Sequence, residues 1–343
     1  MTQLFRKVRK DMAGKNKFTV YLAYAIGEIA LVVIGILLAL QINNANEAQK
    51  NELIIKHALK QIHDDLRTSI LEADEKILYY MERDSMVHSI MTDQLTVDDY
   101  KSPRGLQLIT LTISFDLPNI QTEGFNTLIN LSDKLTSQYD SIVMDLKDLY
   151  INKKANVDLS GRYIDELTSE NIDWLKHNTD WFSTLYFLNN NFYNELSNDQ
   201  IDFYLNEPYY KNIVTEYSFL GPRNHYSSIR NFRSKAIEIY QHLSEKLHLE
   251  DQKLYDLQDY KDYIGKFVND RDTLEILIEE ERLMSYYRSE GEEQIDPIVP
   301  LTDSKFSFES AGFGYLKHDT LKQVSGLRMR YSTSSYEFDK IEE

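Results

Sequence analysis

The chain has 343 residues, no cysteine and a formal net charge of −17, so disulfides, thiolate nucleophiles and cysteine-ligated zinc sites are excluded. The acidic balance also disfavours nucleic acid as a partner, because phosphate binding requires clustered Lys and Arg. An apolar content of 42% is sufficient for a packed core, and only 12 Gly and 6 Pro favour helices over a turn-rich fold.

The first 42 residues have the composition of a membrane anchor. Residues 1–17 carry six Lys or Arg against one Asp, a net charge of +5, whereas residues 18–42 contain one formal charge. At about 1.5 Å per residue, residues 18–42 can cross a hydrocarbon core of about 30 Å. The run is longer than a signal-peptide core and lacks a small-x-small cleavage site, so we interpret it as an uncleaved transmembrane helix in a lipid bilayer.

The basic flank also predicts the orientation of this helix. Under the positive-inside rule, residues 1–17 form a cytoplasmic tail and the rest of the chain is exported. Helices that cross a membrane are typical of the bacterial inner membrane, since spans of the outer membrane are barrels. We therefore expect an inner-membrane protein with a periplasmic C-terminal domain.

Glu28 is the charged residue within this helix, about 15 Å along the helix axis from Phe18. An ionisable side chain at that depth is costly unless it is protonated or paired. Gly35 and Ala39 lie on the same stripe of the helix, and Gly27 lies on the adjoining one. Small residues at helical spacing let helices approach closely, so these four residues predict association with a second copy or another membrane protein. A proton relay through Glu28 and its extension to the cytoplasmic interface are alternatives.

Three short motifs run along this helix: Gly27-Glu28-Ile29, Val32-Val33-Ile34-Gly35-Ile36 and Ala39-Leu40-Gln41-Ile42-Asn43-Asn44. This pattern resembles the N-terminal signature of an uncharacterised family of single-pass membrane proteins that is abundant in Bacteroidetes. That family continues with Trp-Asn-Glu, whereas this chain has Ala45-Asn46-Glu47, so one interfacial anchor is missing. The resemblance covers about residues 1–60 and implies membrane anchoring and a helical exported domain, without catalytic residues.

Residues 43–290 are predicted to form the exported helical domain. Apolar residues continue beyond the anchor at steps of three and four, which indicates one face of a nearly straight helix: Ile55, Leu59, Ile62, Leu66, Ile70, Ala73, Ile77 and Met81. Residues 93–124 interrupt the helical pattern with Pro103, Gly105 and Pro118. Further helices are predicted over 125–151, 157–177, 226–249 and 254–287.

Residues 291–343 are predicted to form a linker and a small β-containing tail, because the period changes to two at Phe306 and Phe308 and again at Leu327 and Met329. The predicted fold class is therefore mainly α. It comprises an N-terminal transmembrane helix that continues into an exported helical bundle, with a small C-terminal β element.

No catalytic residue, metal site or cofactor is predicted. The eight His residues form no i, i+4 pair, and neither a phosphate-binding glycine loop nor a Gly-x-Ser-x-Gly motif is present. Arg223, Arg230 and Arg233 form the concentrated basic patch of the predicted exported domain. They could bind an anion or an acidic partner segment, or they could bridge neighbouring helices.

These observations favour a membrane-anchored, non-enzymatic interaction, scaffold or sensor protein. The alternative is a proton-coupled or accessory subunit of a membrane complex that uses Glu28. A third hypothesis, an exported enzyme with an unrecognised carboxylate site, predicts a concave pocket with convergent acids.

Overall fold

A computed structural model describes residues 17–187, 196–249, 254, 256–279, 282–308, 312–331 and 334–341. The basic tail predicted over residues 1–17 lies outside these residues, apart from Lys17. The chain divides into two compact units, residues 1–58 and residues 59–343.

In the described residues, nine α-helices precede the strands. Their bounds are α1 (Lys17–Met91), α2 (Val97–Tyr100), α3 (Gly105–Ile109), α4 (Glu123–Asn130), α5 (Asp140–Lys147), α6 (Lys154–Asn178), α7 (Asn198–Asn206), α8 (Pro208–Ser218) and α9 (Tyr226–Leu247). Short 3-10 turns occur at Ser132–Lys134, Ser137–Tyr139, Phe182–Phe187 and Leu257–Tyr263.

The described part of the unit of residues 1–58 is the first part of α1. Its apolar side chains are exposed from Ile26 to Ile42, and the most apolar window of 18 residues has a mean hydropathy of 2.4 with none of it buried. By length and composition, α1 is the one described helix that could cross a membrane.

The unit of residues 59–343 has a helical core built around the second part of α1. The predicted stripe along this helix is confirmed, because seven of its residues are fully buried: Leu59, Ile62, Leu66, Ile70, Ala73, Ile77 and Met81. The helix predicted over 226–249 is confirmed as α9, whose residues Ile229, Phe232, Ala236 and Leu243 are buried. The described unit therefore packs helices through amphipathic faces.

Two π-helical segments lead directly into the helices α6 and α9. The first is Asp148–Lys153, which follows α5 and precedes α6. The second is Phe219–His225, which follows α8, contains Pro222 and precedes α9. Proline has no backbone N–H and cannot complete the α-helical ladder, which explains why the chain departs from α geometry at the second segment.

The C-terminal part of this unit is a closed antiparallel β-barrel of eight strands in sequential order. Its strands are β1 (Gly265–Val268), β2 (Asp272–Glu279), β3 (Arg282–Ser289), β4 (Glu292–Pro300), β5 (Lys305–Phe308), β6 (Phe313–His318), β7 (Val324–Tyr331) and β8 (Ser334–Ile341). Closure is completed by β1 and β8, which pair at Lys266 and Ile341. The β3–β4 turn has positive φ at both Glu290 and Gly291, the geometry that two-residue hairpins prefer.

The interior of the barrel is filled with apolar side chains. They include Phe267, Leu274, Ile276, Leu283, Phe306, Leu327 and Phe338. Phe306 of β5 faces Gly314 of β6, and a Cβ atom at Gly314 would lie 2.1 Å from the ring of Phe306. Only glycine leaves room for that ring, which then fills the barrel.

The barrel packs on the helices of the same unit through polar and aromatic contacts. Nε of Arg330 in β7 lies 2.8 Å from the carboxylate of Asp84 in α1. The hydroxyl group of Tyr226 in α9 donates to the carbonyl oxygen of Gly312 at 3.2 Å, and its ring meets Phe313 edge-on. Burial raises the pKa of Asp84, although the positive charge of Arg330 opposes the shift.

The predicted fold class is wrong in its C-terminal part. A closed barrel of eight strands over Gly265–Ile341 replaces the small β element, and β1, β2 and β3 replace the helix predicted over 254–287. In β2, Leu274, Leu277 and Ile278 match a helical spacing of three and four. The buried Leu274 and Ile276 instead follow the strand period of two, and that period is the one the structure uses.

Candidate functional site

The four residues predicted for helix association lie on the exposed part of α1. Gly27, Glu28, Gly35 and Ala39 are all exposed. A Cβ atom added at Gly27 or Gly35 would meet nothing within 4 Å. At about 100° per residue, Glu28, Gly35 and Ala39 lie within a narrow sector of the helix surface. This face has open space for a neighbouring helix.

The three arginines of the predicted basic patch do not share one surface. Arg233 is 1% exposed and forms an ion pair with Asp74 of α1. Arg230 is buried with its guanidinium 5.8 Å from the centre of the Tyr226 ring. Arg223 is exposed and lies 4.7 Å from the centre of the Phe219 ring. Of the three, Arg223 is the one that solvent reaches.

The structure forms a polar groove between α6 and α9, beside the ends of both π segments. One part of this groove encloses about 240 Å³ and is lined by Lys153, Asn156, Leu159, Ser160, Tyr163, Asn224, Ser228 and Asn231. A second part encloses about 550 Å³ and shares Lys153 and Asn231 with the first. Small-molecule sites are commonly clefts of about 300–1,000 Å³, a range that includes the second part of the groove and not the first.

The side chains that line the first part of the polar groove are mostly amides and hydroxyl groups. The amides of Asn156, Asn224 and Asn231 make no hydrogen bond within the described part of the chain. By contrast, Asn152 donates to Asp148 at 2.9 Å, and Asn171 donates to the carbonyl oxygen of Thr112 at 3.0 Å. The three groove amides are therefore free to bind a ligand or water.

Lys153 is the charged residue among those that line the first part of the groove. Neighbouring charges are paired elsewhere, since Lys154 bonds Asp158 at 2.7 Å and Lys235 bonds Asp145 and Glu238, each at 2.8 Å. Within the described residues, the ammonium group of Lys153 has no carboxylate partner.

Behind the groove, Oγ of Ser160 lies 2.7 Å from Nδ1 of His225, the last residue of the second π segment. The Ser160 hydroxyl also lies 2.7 Å from the carbonyl oxygen of Asn156 and 3.1 Å from that of Val157. Since a hydroxyl has one proton to donate, donation to a carbonyl leaves Oγ to accept from Nδ1–H. Nε2 of His225 then has a lone pair without a partner in the described structure.

Burial lowers the pKa of His225 to about 4, and the negative charge of Asp158 opposes the shift only in part. His225 is fully buried and meets the ring of Tyr80 edge-on at 5.4 Å. Gly221 brings the second π segment against the same aromatic residues, because a Cβ atom there would lie 3.2 Å from Tyr80 and 3.3 Å from Tyr217. Behind the groove, Tyr80 therefore packs against the neutral imidazole of His225, and both Tyr80 and Tyr217 pack against the second π segment.

A second serine–histidine pair joins α1 to α9. Nε2 of His63 lies 2.9 Å from Oγ of Ser244, which donates to the carbonyl oxygen of Tyr240. Like Ser160, Ser244 stands inside a helix with its hydroxyl directed to a backbone carbonyl. Helix-interior N–H groups are already donated within the helix, so neither serine has the pair of free donors that stabilises an oxyanion. These pairs connect helices, and they lack the geometry of a serine nucleophile.

In the part of the chain that the structure describes, no group of three His, Asp or Glu residues is arranged to hold a metal ion.

The matched family model covers α1 from Glu28 onward and the following helices as far as the first π segment. Residues 28–150 match a family of unknown function, DUF6090. No curated protein and no solved structure matches the chain. The DUF6090 match ends at Tyr150, so the groove residues from Lys153 onward and the barrel lie beyond it.

Sequence reasoning missed the polar groove, although its residues follow helical spacing. Asn224, Ser228 and Asn231 are four and three residues apart, and Asn156, Ser160 and Tyr163 repeat that spacing on the facing helix. A polar stripe at helical period marks a face that is not packed in a core. The signal resembles that of any solvated helix face, and only the fold shows that these two stripes face each other.

Proposed function

We propose that this protein is a single-pass membrane protein whose N-terminal helix anchors it and associates with a second copy, while the unit of residues 59–343 binds a ligand outside the cytoplasm. The observation that carries the anchoring is the exposure of every apolar side chain from Ile26 to Ile42. Water disfavours such a surface by roughly 25 cal/mol for each Å² of apolar area, and lipid tails remove that cost.

The orientation rests on the charge pattern of the sequence. The net charge of +5 in residues 1–17 favours a cytoplasmic N-terminus, and the remainder of the chain, at −22, favours the opposite side. The resemblance to single-pass proteins abundant in Bacteroidetes supports the same orientation, with the folded unit in the periplasm and the helix in the inner membrane.

The association is supported by the exposed face of α1 that contains Glu28, Gly35 and Ala39. A carboxylic acid in hydrocarbon gains a hydrogen-bond partner if it meets the same residue of a second helix, and the small residues allow that approach. The polar groove supports the binding role, because the free amide of Asn231 and the unpaired ammonium group of Lys153 line both of its parts, and the second part is of ligand size.

Anchoring and orientation are tested together in cells that express the full chain. We expect the protein to remain in the membrane pellet after alkaline carbonate treatment and to become soluble when residues 18–42 are deleted. A single cysteine introduced at Ser137, in the acidic exported unit, should react with a membrane-impermeant maleimide in whole cells, whereas a cysteine introduced at Thr2 should react only after lysis. Release of the full chain by carbonate would contradict anchoring, and labelling of the Thr2 variant in whole cells would contradict the orientation.

A further inference from the structure

We infer that the polar groove between α6 and α9 binds an acidic oligosaccharide, with its hydroxyl groups on the groove amides and a carboxylate on Lys153. The inference rests on the proposed function in placing this groove outside the cytoplasm, and it adds the chemical class of the ligand. The observation that supports it is that three free amides, three hydroxyl groups, one of them on an aromatic ring, and one unpaired cation line the same cleft.

The amides are suited to sugar hydroxyl groups. Each asparagine offers a carbonyl acceptor and an NH₂ donor side by side, and each sugar hydroxyl both donates and accepts. Asn156 projects from α6, whereas Asn224 and Asn231 project from the second π segment and α9, so a ligand in the groove is contacted from both sides. Ser228 adds a hydroxyl between the latter two along the chain.

These amides are also unfavourable choices for the helices themselves. Asparagine in a helix interior is less favourable than alanine by up to about 0.7 kcal/mol. Asn231 lies in the first half of a 22-residue helix and is exposed, so packing does not require an amide there. Local sequence choices that disagree with their secondary structure are expected at functional sites. The two π segments beside the groove also indicate a functional site, because such segments occur frequently at functional sites.

The groove contains one apolar strip. Leu159 and Tyr163, four residues apart on α6, are 40% and 43% exposed and both line the cleft. The C–H face of a sugar ring is apolar and packs against an aromatic ring, while its equatorial hydroxyl groups reach the polar side chains at the edge. A ligand with alternating apolar faces and polar edges therefore matches this lining.

The charge of the groove favours an acid. Lys153 has no carboxylate partner in the described structure, and no acidic residue lines the 240 Å³ part. In a chain with a formal net charge of −17, such a site attracts a carboxylate that the surrounding surface repels. The 550 Å³ part is lined by Asp148 and Glu238, together with the cations Lys235 and Arg282. Lys153 lines both parts, so we expect the carboxylate of an acidic ligand to lie where the two parts meet.

An extended peptide is a less suitable occupant. Peptides bind by adding a strand to an open sheet edge or by placing several apolar anchors in a groove. The described barrel is closed by β1 and β8, and Leu159 and Tyr163 are the two apolar side chains that line the first part of the groove. The lining offers few anchors for a peptide and many partners for hydroxyl groups.

The test is calorimetric titration of the full chain in lipid nanodiscs with four probes. They are tetragalacturonate, a hyaluronan hexasaccharide, a carboxyl-reduced galacturonide of the same length, and hexaglutamate. We expect at least one acidic oligosaccharide to bind in a 1:1 ratio, the reduced galacturonide to bind about tenfold more weakly than its acidic parent, and hexaglutamate not to bind.

Two substitutions locate the binding. Asn231→Leu removes the amide C=O and NH₂ groups at similar volume, and Lys153→Met removes the charge at similar length. Each substitution should weaken the binding of the acidic oligosaccharide by about tenfold. Lys153→Met should change the affinity for the carboxyl-reduced galacturonide by less than twofold. The matched controls Asn212→Leu on α8 and Lys176→Met on α6, both exposed and outside the groove, should change binding by less than twofold. Thermal unfolding verifies that every variant is folded.

Absence of binding by both acidic oligosaccharides at millimolar concentration overturns the inference, as does binding that neither groove substitution weakens. Equal binding of hexaglutamate would assign the groove to acidic peptides instead. In each of these cases, the proposed anchoring still stands if the chain remains in the membrane after carbonate treatment. A chain that carbonate releases contradicts the proposed function, whatever the titration gives.

Discussion

Arg233 of α9 and Asp74 of α1 form an ion pair in the helical core, with side chains that are 1% and 12% exposed. Asp84, ten residues further along α1, meets Arg330 of β7 at 2.8 Å with both side chains less than one-fifth exposed. The second part of α1 is thus joined through buried charges to a distant helix and to the barrel. Each pair is desolvated, so removal of one partner leaves the other charge buried without compensation.

We therefore expect Asp74→Ala to destabilise the folded unit by about 3–5 kcal/mol. The double variant Asp74→Leu with Arg233→Met should recover most of this loss, because two apolar side chains can replace a buried pair at little net cost. The free energy of unfolding from urea titration measures both. Asp158→Ala, which breaks the exposed pair with Lys154, serves as the control and should cost less than about 1 kcal/mol. Equal losses for Asp74→Ala and Asp158→Ala would contradict a structural role for the buried pair.

The buried His225 predicts a loss of stability in acid. Its pKa is about 4 in the folded chain and about 6.5 when unfolded, so the unfolded chain binds more protons between these values. Above pH 6.5, His225 is neutral in both states and does not lower the free energy of unfolding. As the pH falls from 6.5 towards 4, this free energy decreases by up to about 3 kcal/mol. Urea unfolding at pH 7.0, 5.5 and 4.5 measures it. His225→Gln cannot titrate and should show a shallower dependence on pH. Parallel curves for the two proteins would show that His225 is not the group responsible.

The helical core could be predicted from the sequence because one period dominates it. Leu59, Ile62 and Leu66 repeat at three and four residues, and every one of them is fully buried in the structure. The same reasoning located α9 within two residues of its end. In both helices the periodicity comes from a single amphipathic face, which is a property of the local sequence.

The barrel could not be predicted in the same way because its strands are short and their patterns mixed. In β3 the inward positions include the buried Ser285, which interrupts the apolar alternation between Leu283 and Tyr287. The Ser285 hydroxyl is satisfied by the carbonyl oxygen of Asp296 on β4, a partner that the sequence does not indicate. Closure depends on pairing β1 with β8, more than 70 residues away, and no local pattern encodes that contact.

The barrel also contains a direct test of its packing. Gly314→Ala places a methyl group against the ring of Phe306, which is fully buried. We expect a loss of about 1–3 kcal/mol from overpacking. Phe306→Leu alone should also be destabilising, because it leaves a cavity, but the double variant should be more stable than the sum of the two losses predicts. A double-mutant cycle measured by urea unfolding gives this coupling energy. Strict additivity would show that the two side chains do not compete for the same space.

The proposed association of two copies through the exposed face of α1 can be tested by substitution. Gly35→Leu should reduce the dimer fraction, because the larger side chain separates two helices that approach at this face. Val33→Leu, on the opposite side of the helix, adds volume without reaching the contact and serves as the control. Native mass spectrometry from nanodiscs measures the dimer fraction for each variant.

In the proposed dimer, Glu28 is expected to form a hydrogen bond across this contact, worth about 0.6–2 kcal/mol in a membrane. Glu28→Gln keeps a side chain that donates and accepts, so its dimer fraction should stay close to that of the wild type, whereas Glu28→Leu should lower it. Dissociation of Glu28→Gln would show that the carboxyl group itself is required, and that result would favour the proton-coupled alternative. Dimers that persist in both Glu28→Leu and Gly35→Leu would place the contact on another face of α1.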